Sequence, residues 1–238
     1  MISIVIPTYN EAGGIGETLR RAARALALTG ERFELIVVDD AGSDGTADIA
    51  EGLARELPVR VLRRTGRQGL ATAVMDGWRI AQGNVLGVMD GDLQHPPEVL
   101  PVLVNALRTG GADLVIASRY MEGGGSENWP WFRRMTSRLA TRLAVCVLPG
   151  TVIDVADPMS GMFVLRAAAL NGCRLNPTGY KILLEVLARV QCHKVMEVPY
   201  TFDRRNIGSS KLGPRQYLEC LQHVARLAIF LRRPKSKG

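Results

Sequence analysis

Through the first half of the chain, short apolar runs rich in β-branched residues alternate with stretches whose apolar positions recur at helical spacing. The runs near 2–6, 34–39, 59–63, 84–89 and 113–117 have strand length, and the amphipathic stretches near 13–28, 44–55, 69–82 and 97–108 predict the helices between them. That alternation predicts an α/β fold, a mainly parallel sheet flanked by helices with right-handed crossovers. Ser43-Asp44-Gly45-Thr46 offers N-cap chemistry just after the second run, and Asp76-Gly77 falls inside the third predicted helix.

The second half is less regular. Residues 120–130 form a glycine-rich segment that suits either a mobile active-site loop or an ordinary surface loop. A further strand is expected at Met162-Phe163-Val164-Leu165. From Pro214 a helix would place Tyr217, Leu218, Leu221, Val224, Ala225 and Ala228 on one face, with Arg215, Glu219, Gln222 and Arg226 largely opposite. It ends in the basic run Arg232-Arg233-Pro234-Lys235-Ser236-Lys237. Such a helix either lies on an anionic membrane surface or packs on its own domain with a solvated tail. The chain accordingly divides into a domain over 1–213 and a basic, amphipathic C-terminal helix and tail over 214–238.

Composition narrows the partners. With 238 residues, 47% of them hydrophobic, the chain is long enough to bury a substantial core. A formal net charge of +7 calls for an anionic partner: a phosphorylated substrate, an anionic membrane or nucleic acid. Aromatics are only 5%, with no interleaving of basic and aromatic residues and no zinc-finger spacing, which argues against nucleic acid. Cys146, Cys173, Cys192 and Cys220 are dispersed and read as reduced structural thiols, pointing to the cytosol. The N-terminus reads as a first strand rather than a signal peptide, and no stretch is long enough to span a bilayer.

The candidate chemistry gathers after the fourth apolar run. Val85-Leu86-Gly87-Val88-Met89 delivers Asp90-Gly91-Asp92-Leu93-Gln94 to what should be a strand's C-terminal end, where open α/β sheets bind ligands. In an extended segment Asp90, Asp92 and Gln94 would point the same way, as hard oxygen ligands for Mg²⁺ or Mn²⁺. The competing reading makes Asp92 a cap for a helix near Pro96-Pro97. A dinucleotide fold fails its fingerprint: Gly14 and Gly16 are followed by Leu19 where a small residue is required.

Four motifs in order carry a specific resemblance. Ile4-Val5-Ile6-Pro7-Thr8-Tyr9-Asn10-Glu11, Val37-Val38-Asp39-Asp40-Ala41-Gly42-Ser43-Asp44-Gly45-Thr46, Gly69-Leu70-Ala71-Thr72-Ala73 and Asp90-Gly91-Asp92-Leu93-Gln94-His95-Pro96-Pro97-Glu98 are similar to the nucleotide-sugar-binding motifs of glycosyltransferase family 2. Ala117-Ser118-Arg119-Tyr120, Asp157-Pro158-Met159-Ser160-Gly161-Met162-Phe163, Gly179-Tyr180-Lys181-Ile182-Leu183 and Phe202-Asp203-Arg204-Arg205-Asn206-Ile207-Gly208-Ser209-Ser210-Lys211-Leu212 resemble its dolichol-phosphate mannose synthase branch. The resemblance implies a nucleotide-diphospho-sugar transferase fold of the GT-A type.

It also implies roles. Pro7, Tyr9, Glu11, Val38 and Asp40 would line the nucleobase and ribose pocket, and Asp90, Asp92 and Gln94 would hold a divalent metal on the diphosphate, with Gly91 between them. Arg119, Lys181, Arg205 and Lys211 would surround the donor and acceptor phosphates, Asp92, Arg119 and Arg205 standing closest to catalysis. Ala41, where these enzymes usually carry Gly, and Gly91, where many carry Ala, depart from the pattern without removing a ligand. Relatives often continue into transmembrane helices, so the chain resembles a form without anchors or one cut before them, for which a separate membrane subunit would supply the anchor.

The implied reaction is transfer of mannose from GDP-mannose to dolichyl or polyprenyl phosphate with inversion, at the cytoplasmic face of a membrane. A UDP-glucose or UDP-N-acetylhexosamine donor is the alternative within the class, and a non-catalytic nucleotide-sugar-binding module the alternative outside it. A lipid phosphate, with a second pKa of about 6, is already largely dianionic near neutrality and needs no general base. It needs a cationic clamp, for which Arg119, Arg133, Arg134, Arg205 and Lys211 are candidates. Asp157 either positions the acceptor or a cation, or is a turn residue. Glu185, one helical turn after Lys181, reads as its i,i+4 partner. His95, His193 and His223 have no metal-ligand spacing and read as bystanders.

Overall fold

The computed structural model describes residues 1–126, 154–177, 179–190, 192–202 and 214–232. Its first half alternates as expected: β1 (Ile2–Thr8), α1 (Ala12–Ala27), β2 (Phe33–Asp39), α2 (Thr46–Leu53), β3 (Val59–Arg63), α3 (Leu70–Ile80), β4 (Val85–Val88), α4 (Leu100–Thr109) and β5 (Leu114–Ser118). There follow β6 (Gly125–Ser126), β7 (Phe163–Arg166), α5 (Ile182–Arg189), β8 (Val195–Pro199), β9 (Thr201–Phe202) and α6 (Pro214–Arg232). A 3₁₀ turn, Pro97–Val99, leads into α4.

Seven strands form one sheet in the order β3-β2-β1-β4-β7-β5-β8, and β6 pairs with β9 apart from it. The pairs β1–β2, β1–β4, β2–β3 and β5–β8 are parallel. The sequence reading anticipated a strand at β7 but not its place: it runs antiparallel between β4 and β5. β8 was not anticipated at all, since Val-Met-Glu-Val-Pro is short and carries a charge.

β1 is buried along its whole length. Ile2, Ile4 and Ile6 pack with Ile15, Leu19 and Leu26 of α1 and Leu100, Leu103 and Leu107 of α4. Val5, with Ile36 and Val38, faces the opposite layer, built from Val74 and Trp78 of α3 and Leu183 and Leu187 of α5. Each such side chain stabilises the fold by about 1.5–3 kcal/mol. Gly77 explains the glycine inside α3: a Cβ there would lie 2.5 Å from Val5 Cγ1, so the helix sits directly on β1.

α6 docks on α5. Leu227 and Ala228 join the second core cluster, and the Arg189 guanidinium lies 4.0 Å from the centre of the Phe230 ring. The docked face differs from the expected apolar face. His223 and Leu227 are buried, whereas Leu221 and Ala225, expected on the packed side, are exposed with Ile229. The side chains of Tyr217 and Leu218 lie outside the described residues. No described helix is long and apolar enough to cross a membrane.

At the opposite end of the sheet from the strand C-termini, buried Glu34 accepts bonds from Ser3 Oγ (2.6 Å), the Gln82 N–H (2.7 Å) and Arg60 Nη1 (2.9 Å). Burial alone would raise its pKa, but the bonds from Ser3, Gln82 and Arg60 outweigh burial and hold it below the ordinary value of 4.5. Because the folded pKa is the lower one, this stabilisation is present above pH 4.5 and is lost as the pH falls through the folded value. Glu34→Ala should cost about 2–3 kcal/mol in urea unfolding near neutrality and less in acid; a loss that stays constant down to pH 3 would refute the ionised role.

Candidate functional site

The parallel register sets the ends of β1 and β2 level, with β4 ending three residues earlier. Thr8 lies opposite Asp39, and Val5 lies opposite Val88, the last residue of β4. Three chain reversals therefore crowd one edge. The non-glycine residues with left-handed backbone among those described are Asn10 (φ 54°) and Ala41 (φ 61°), each two residues past its strand, and Leu93 (φ 59°), five past β4. A left-handed residue with a Cβ costs about 1–2 kcal/mol, so a glycine at position 41 would relieve strain.

The first two reversals are tied together. Asn10 Oδ1 accepts the Ser43 N–H (2.9 Å), Thr46 Oγ1 accepts the Glu11 N–H (2.8 Å), and Asp44 accepts the Ala12 N–H (2.8 Å) and the Thr46 N–H (3.1 Å). The expected N-cap is thus shared: Asp44 serves the start of α1 as well as α2, whose own N-cap position is Gly45. Pro7 and Val38 are buried beneath this edge, and Tyr9 and Glu11 are half-buried at it.

Asp40 is buried and heavily bonded by its own chain. Its oxygens accept the Gln68 N–H (2.9 Å), the Gly69 N–H (2.8 Å) and Arg64 Nη1 (2.7 Å). Arg64, its side chain 4% exposed, also pairs with Asp76 at 3.0 Å. These bonds fix the 64–69 loop against the edge, and the Arg67 guanidinium then lies 4.1 Å from the centre of the Tyr9 ring. Sequence reasoning singled out neither arginine, because both belong to a basic run that reads as solvated surface.

Asp90, Asp92 and Gln94 follow one another through a turn, not along a strand. β4 ends at Val88; Met89 N–H still donates to Val5 (3.1 Å), and the chain then turns, with Leu93 left-handed and the Gln94 N–H donating to Asp92 Oδ1 (3.1 Å). The turn replaces the extended geometry expected there. Nor does Asp92 cap the following 3₁₀ turn, whose N-cap residue is Pro96. Gly91 is buried, and a Cβ on it would meet Thr8 Cγ2 at 3.2 Å, so an alanine would fit there after a small shift. Gly161 comes closer still, since a Cβ there would lie 2.5 Å from Asp90 Oδ2. Among the described residues no three of His, Cys, Asp and Glu gather at metal-holding distance. The donor set is two carboxylates and an amide, hard oxygens that suit Mg²⁺ or Mn²⁺.

The cations approach from β5 and α5. Arg119, one residue past β5, donates from Nε and Nη2 to Asp157 (2.7 and 2.8 Å), and its backbone N–H donates to the same carboxylate (3.1 Å). Asp157 is fully buried and is itself held by Glu197, which accepts the Ala156 and Asp157 N–H groups (2.7 and 3.0 Å). Asp157 opens a turn, as one reading expected, with the Ser160 N–H donating to its carbonyl (3.2 Å), and its side chain is in addition the anchor of Arg119. Burial would lower the arginine pKa, yet the bonds and charge of Asp157 raise it, so the guanidinium stays charged. Lys181 Nζ donates to the Met159 carbonyl (2.7 Å).

Glu185 is not the partner of Lys181. It is fully buried, accepts the Asn176 N–H (2.6 Å), lies 2.5 Å from Arg189 Nε and bonds His223 Nε2 (2.9 Å). His223 is therefore no bystander but the polar tie between α6 and α5. Arg133, Arg134, Arg205 and Lys211 lie outside the described residues.

A sequence model described as Glycosyl transferase family 2 matches residues 3–167. The chain belongs to this family. A dolichol-phosphate mannosyltransferase of Pyrococcus furiosus is 45% identical over 95% of the chain, which spans 63% of that relative's length. One of Saccharomyces cerevisiae is 36% identical over 96% of the chain and 87% of the relative, and an undecaprenyl-phosphate mannosyltransferase of Micrococcus luteus 37% identical over 96% and 94%. Glucosyl-3-phosphoglycerate synthase of Mycobacterium tuberculosis, solved with Mn²⁺, UDP-glucose and phosphoglyceric acid, shares the fold with a TM-score of 0.71 at 24% identity, over 99% of this chain and 81% of that one. The protein is thus a glycosyltransferase with the GT-A-type sheet expected from its motifs.

Within a family-2 enzyme, a charged arginine suits a site that handles anions, and Asp157 is what makes its burial tolerable. Asp157→Ala should cost about 3–5 kcal/mol in urea unfolding by leaving Arg119 buried and unpaired. The double variant Asp157→Ala/Arg119→Met should recover most of that loss. No recovery would disprove the pairing.

Proposed function

We propose that the protein transfers mannose from GDP-mannose to a polyprenyl phosphate of the dolichyl type, with inversion and with a divalent metal. The observation that carries this reading is one sheet edge holding Asp90 and Asp92 together with Arg119 and Lys181, in a chain whose relatives are named dolichol-phosphate and undecaprenyl-phosphate mannosyltransferases.

The chemistry follows from charge. An oxygen of the acceptor phosphate forms a bond to the anomeric carbon as the bond from that carbon to the β-phosphate oxygen breaks, and the electron pair leaves with GDP. A single displacement inverts the α-linked donor to a β-linked product. Asp90, Asp92 and Gln94 would hold Mg²⁺ or Mn²⁺, which when bound supplies Lewis-acid stabilisation of the leaving diphosphate. Arg119 and Lys181 add positive charge where that charge develops. Arg133, Arg134, Arg205 and Lys211 are the candidates for gripping the acceptor phosphate, whose second ionisation makes a protein base unnecessary. Pro7, Tyr9, Glu11 and Val38 line the base and ribose side, with Asp40 fixing the loop that closes it.

The acceptor's lipid tail requires a membrane surface. α6 offers Leu221, Ala225 and Ile229 as an exposed stripe beside exposed Arg226, and the basic tail follows in sequence. We place the protein peripherally on the cytoplasmic face, with or without an anchoring subunit.

The test is Mn²⁺-dependent transfer of radiolabel into organic-extractable polyprenyl phosphate, with GDP-mannose, UDP-glucose and UDP-N-acetylglucosamine in parallel. Label from GDP-mannose alone is expected; label from a UDP donor would reassign the sugar, and donor binding without transfer would favour a binding module. Asp92→Ala should lower turnover at least 100-fold, about 3 kcal/mol in the barrier, with an unchanged unfolding transition. Arg205→Ala should slow transfer or raise the requirement for acceptor phosphate while GDP binding changes less than threefold. Unaltered transfer kinetics in that variant would remove Arg205 from the acceptor site.

A further inference from the structure

His95 immediately follows the candidate metal ligands and is 4% exposed. Its ring stacks on Tyr200, with centroids 5.7 Å apart and planes 18° apart, and meets Phe202 edge-on at 4.9 Å and 90°. Both aromatics come from the segment that follows β8 and includes β9, and Phe202 also lies 5.6 Å from the Arg119 guanidinium. Nδ1 has no hydrogen-bond partner among the described residues and stands 3.6 Å from Asp90 Oδ2. Gly161 closes the other side: a Cβ there would lie 3.0 Å from His95 Cε1 as well as 2.5 Å from Asp90 Oδ2. Imidazole and carboxylate therefore share one cradle, which any side chain at 161 would fill.

A buried polar atom left without a partner normally costs about 1–3 kcal/mol, and a phenyl ring would fill the same aromatic box without that cost. Packing alone does not account for a histidine here. We propose that His95 is a positioning residue for Asp90: from its place against Gly161, Tyr200 and Phe202, its Nδ1 orients the Asp90 carboxylate toward the bound cation. An outer partner that orients a ligating carboxylate typically changes metal affinity 10–100-fold.

This inference rests on the proposed metal site, and the experiment separates the two. Binding of Mn²⁺ alone to the full chain is followed by loss of the free-ion EPR signal, beside thermal unfolding, for wild type, Asp92→Ala, His95→Phe, His95→Leu and His95→Asn. Expected are a roughly tenfold or greater weakening in His95→Phe and His95→Leu with unfolding temperatures near wild type, at least for the better-packed phenylalanine, and recovery to within about threefold in His95→Asn, whose amide offers a donor near the Nδ1 position. Wild-type affinity in His95→Phe, or equal losses in Phe and Asn, would overturn the role of His95 while leaving the metal site intact. Mn²⁺ binding that Asp92→Ala leaves unchanged would overturn the metal site itself, and this inference with it.

Discussion

Parallel pairing of β1 with both β2 and β4 is the constraint on which the rest of the edge depends. Because the register aligns Thr8 with Asp39 and Val5 with Val88, β1 and β2 leave the sheet level with each other, and β4 leaves beside them three residues earlier. They reverse within a few residues, and each places a non-glycine residue in left-handed backbone to do so. Strain of this sort persists only where surrounding bonds over-determine it. Here Asn10 is tied to Ser43, Asp44 to Ala12, and the Leu93 turn is closed by the Gln94 N–H on Asp92. The polar groups of the site are thereby fixed before a ligand arrives, and preorganisation of this kind is what electrostatic catalysis requires.

Charge on the two sides of the site is treated differently. Asp90 remains partly open to solvent, its side chain 28% exposed, whereas Arg119 is 10% exposed and locked bidentately to Asp157. A buried guanidinium without that partner would be a net cost of several kcal/mol; with it, the pair is close to neutral overall and the fold tolerates it. Arg119 therefore acts less as a free phosphate clamp than as one pole of a fixed dipole. The candidates for gripping a mobile anion are then Arg133, Arg134, Arg205 and Lys211, which lie outside the described residues.

The first-half elements were legible because each carries its own local signal: a β-branched run of strand length, or apolar spacing at helical period. Their observed ends fall within about three residues of the expected ones. β8 had no such signal, and its place is set by partners, Leu114 opposite Val195 through Ser118 opposite Pro199. Asp90, Asp92, Arg119 and Lys181 stand out in the sequence as parts of motifs, but the bonds made around them do not. Asp40 meets Arg64 and Gly69 across 24 and 29 residues, and Arg119 meets Asp157 across 38. Neither spacing has a periodic signature. Glu185 shows why a local rule misleads: an i,i+4 lysine was available, but complete burial required more than a solvated pair, and His223 supplied it from 38 residues away.

That same contact links the C-terminal helix to the site. Lys181 is the N-cap residue of α5, and its amine holds the Met159 carbonyl just ahead of Gly161, the residue against which Asp90 and His95 pack. One turn further along α5, Glu185 receives His223 from α6, and at the last turn Arg189 meets Phe230. Burial would raise the Glu185 pKa, but the bonds from His223 and Asn176 and the charge of Arg189 lower it, so an ionised carboxylate sits between the helices. Sliding α6 would strip the His223 bond from that buried carboxylate, which costs about 1–3 kcal/mol. α5 spans eight residues, a rigid rod of about 12 Å. The orientation of α6, and with it the exposed Leu221, Ala225 and Ile229 stripe, is therefore fixed relative to Lys181 by one short helix and one buried charge.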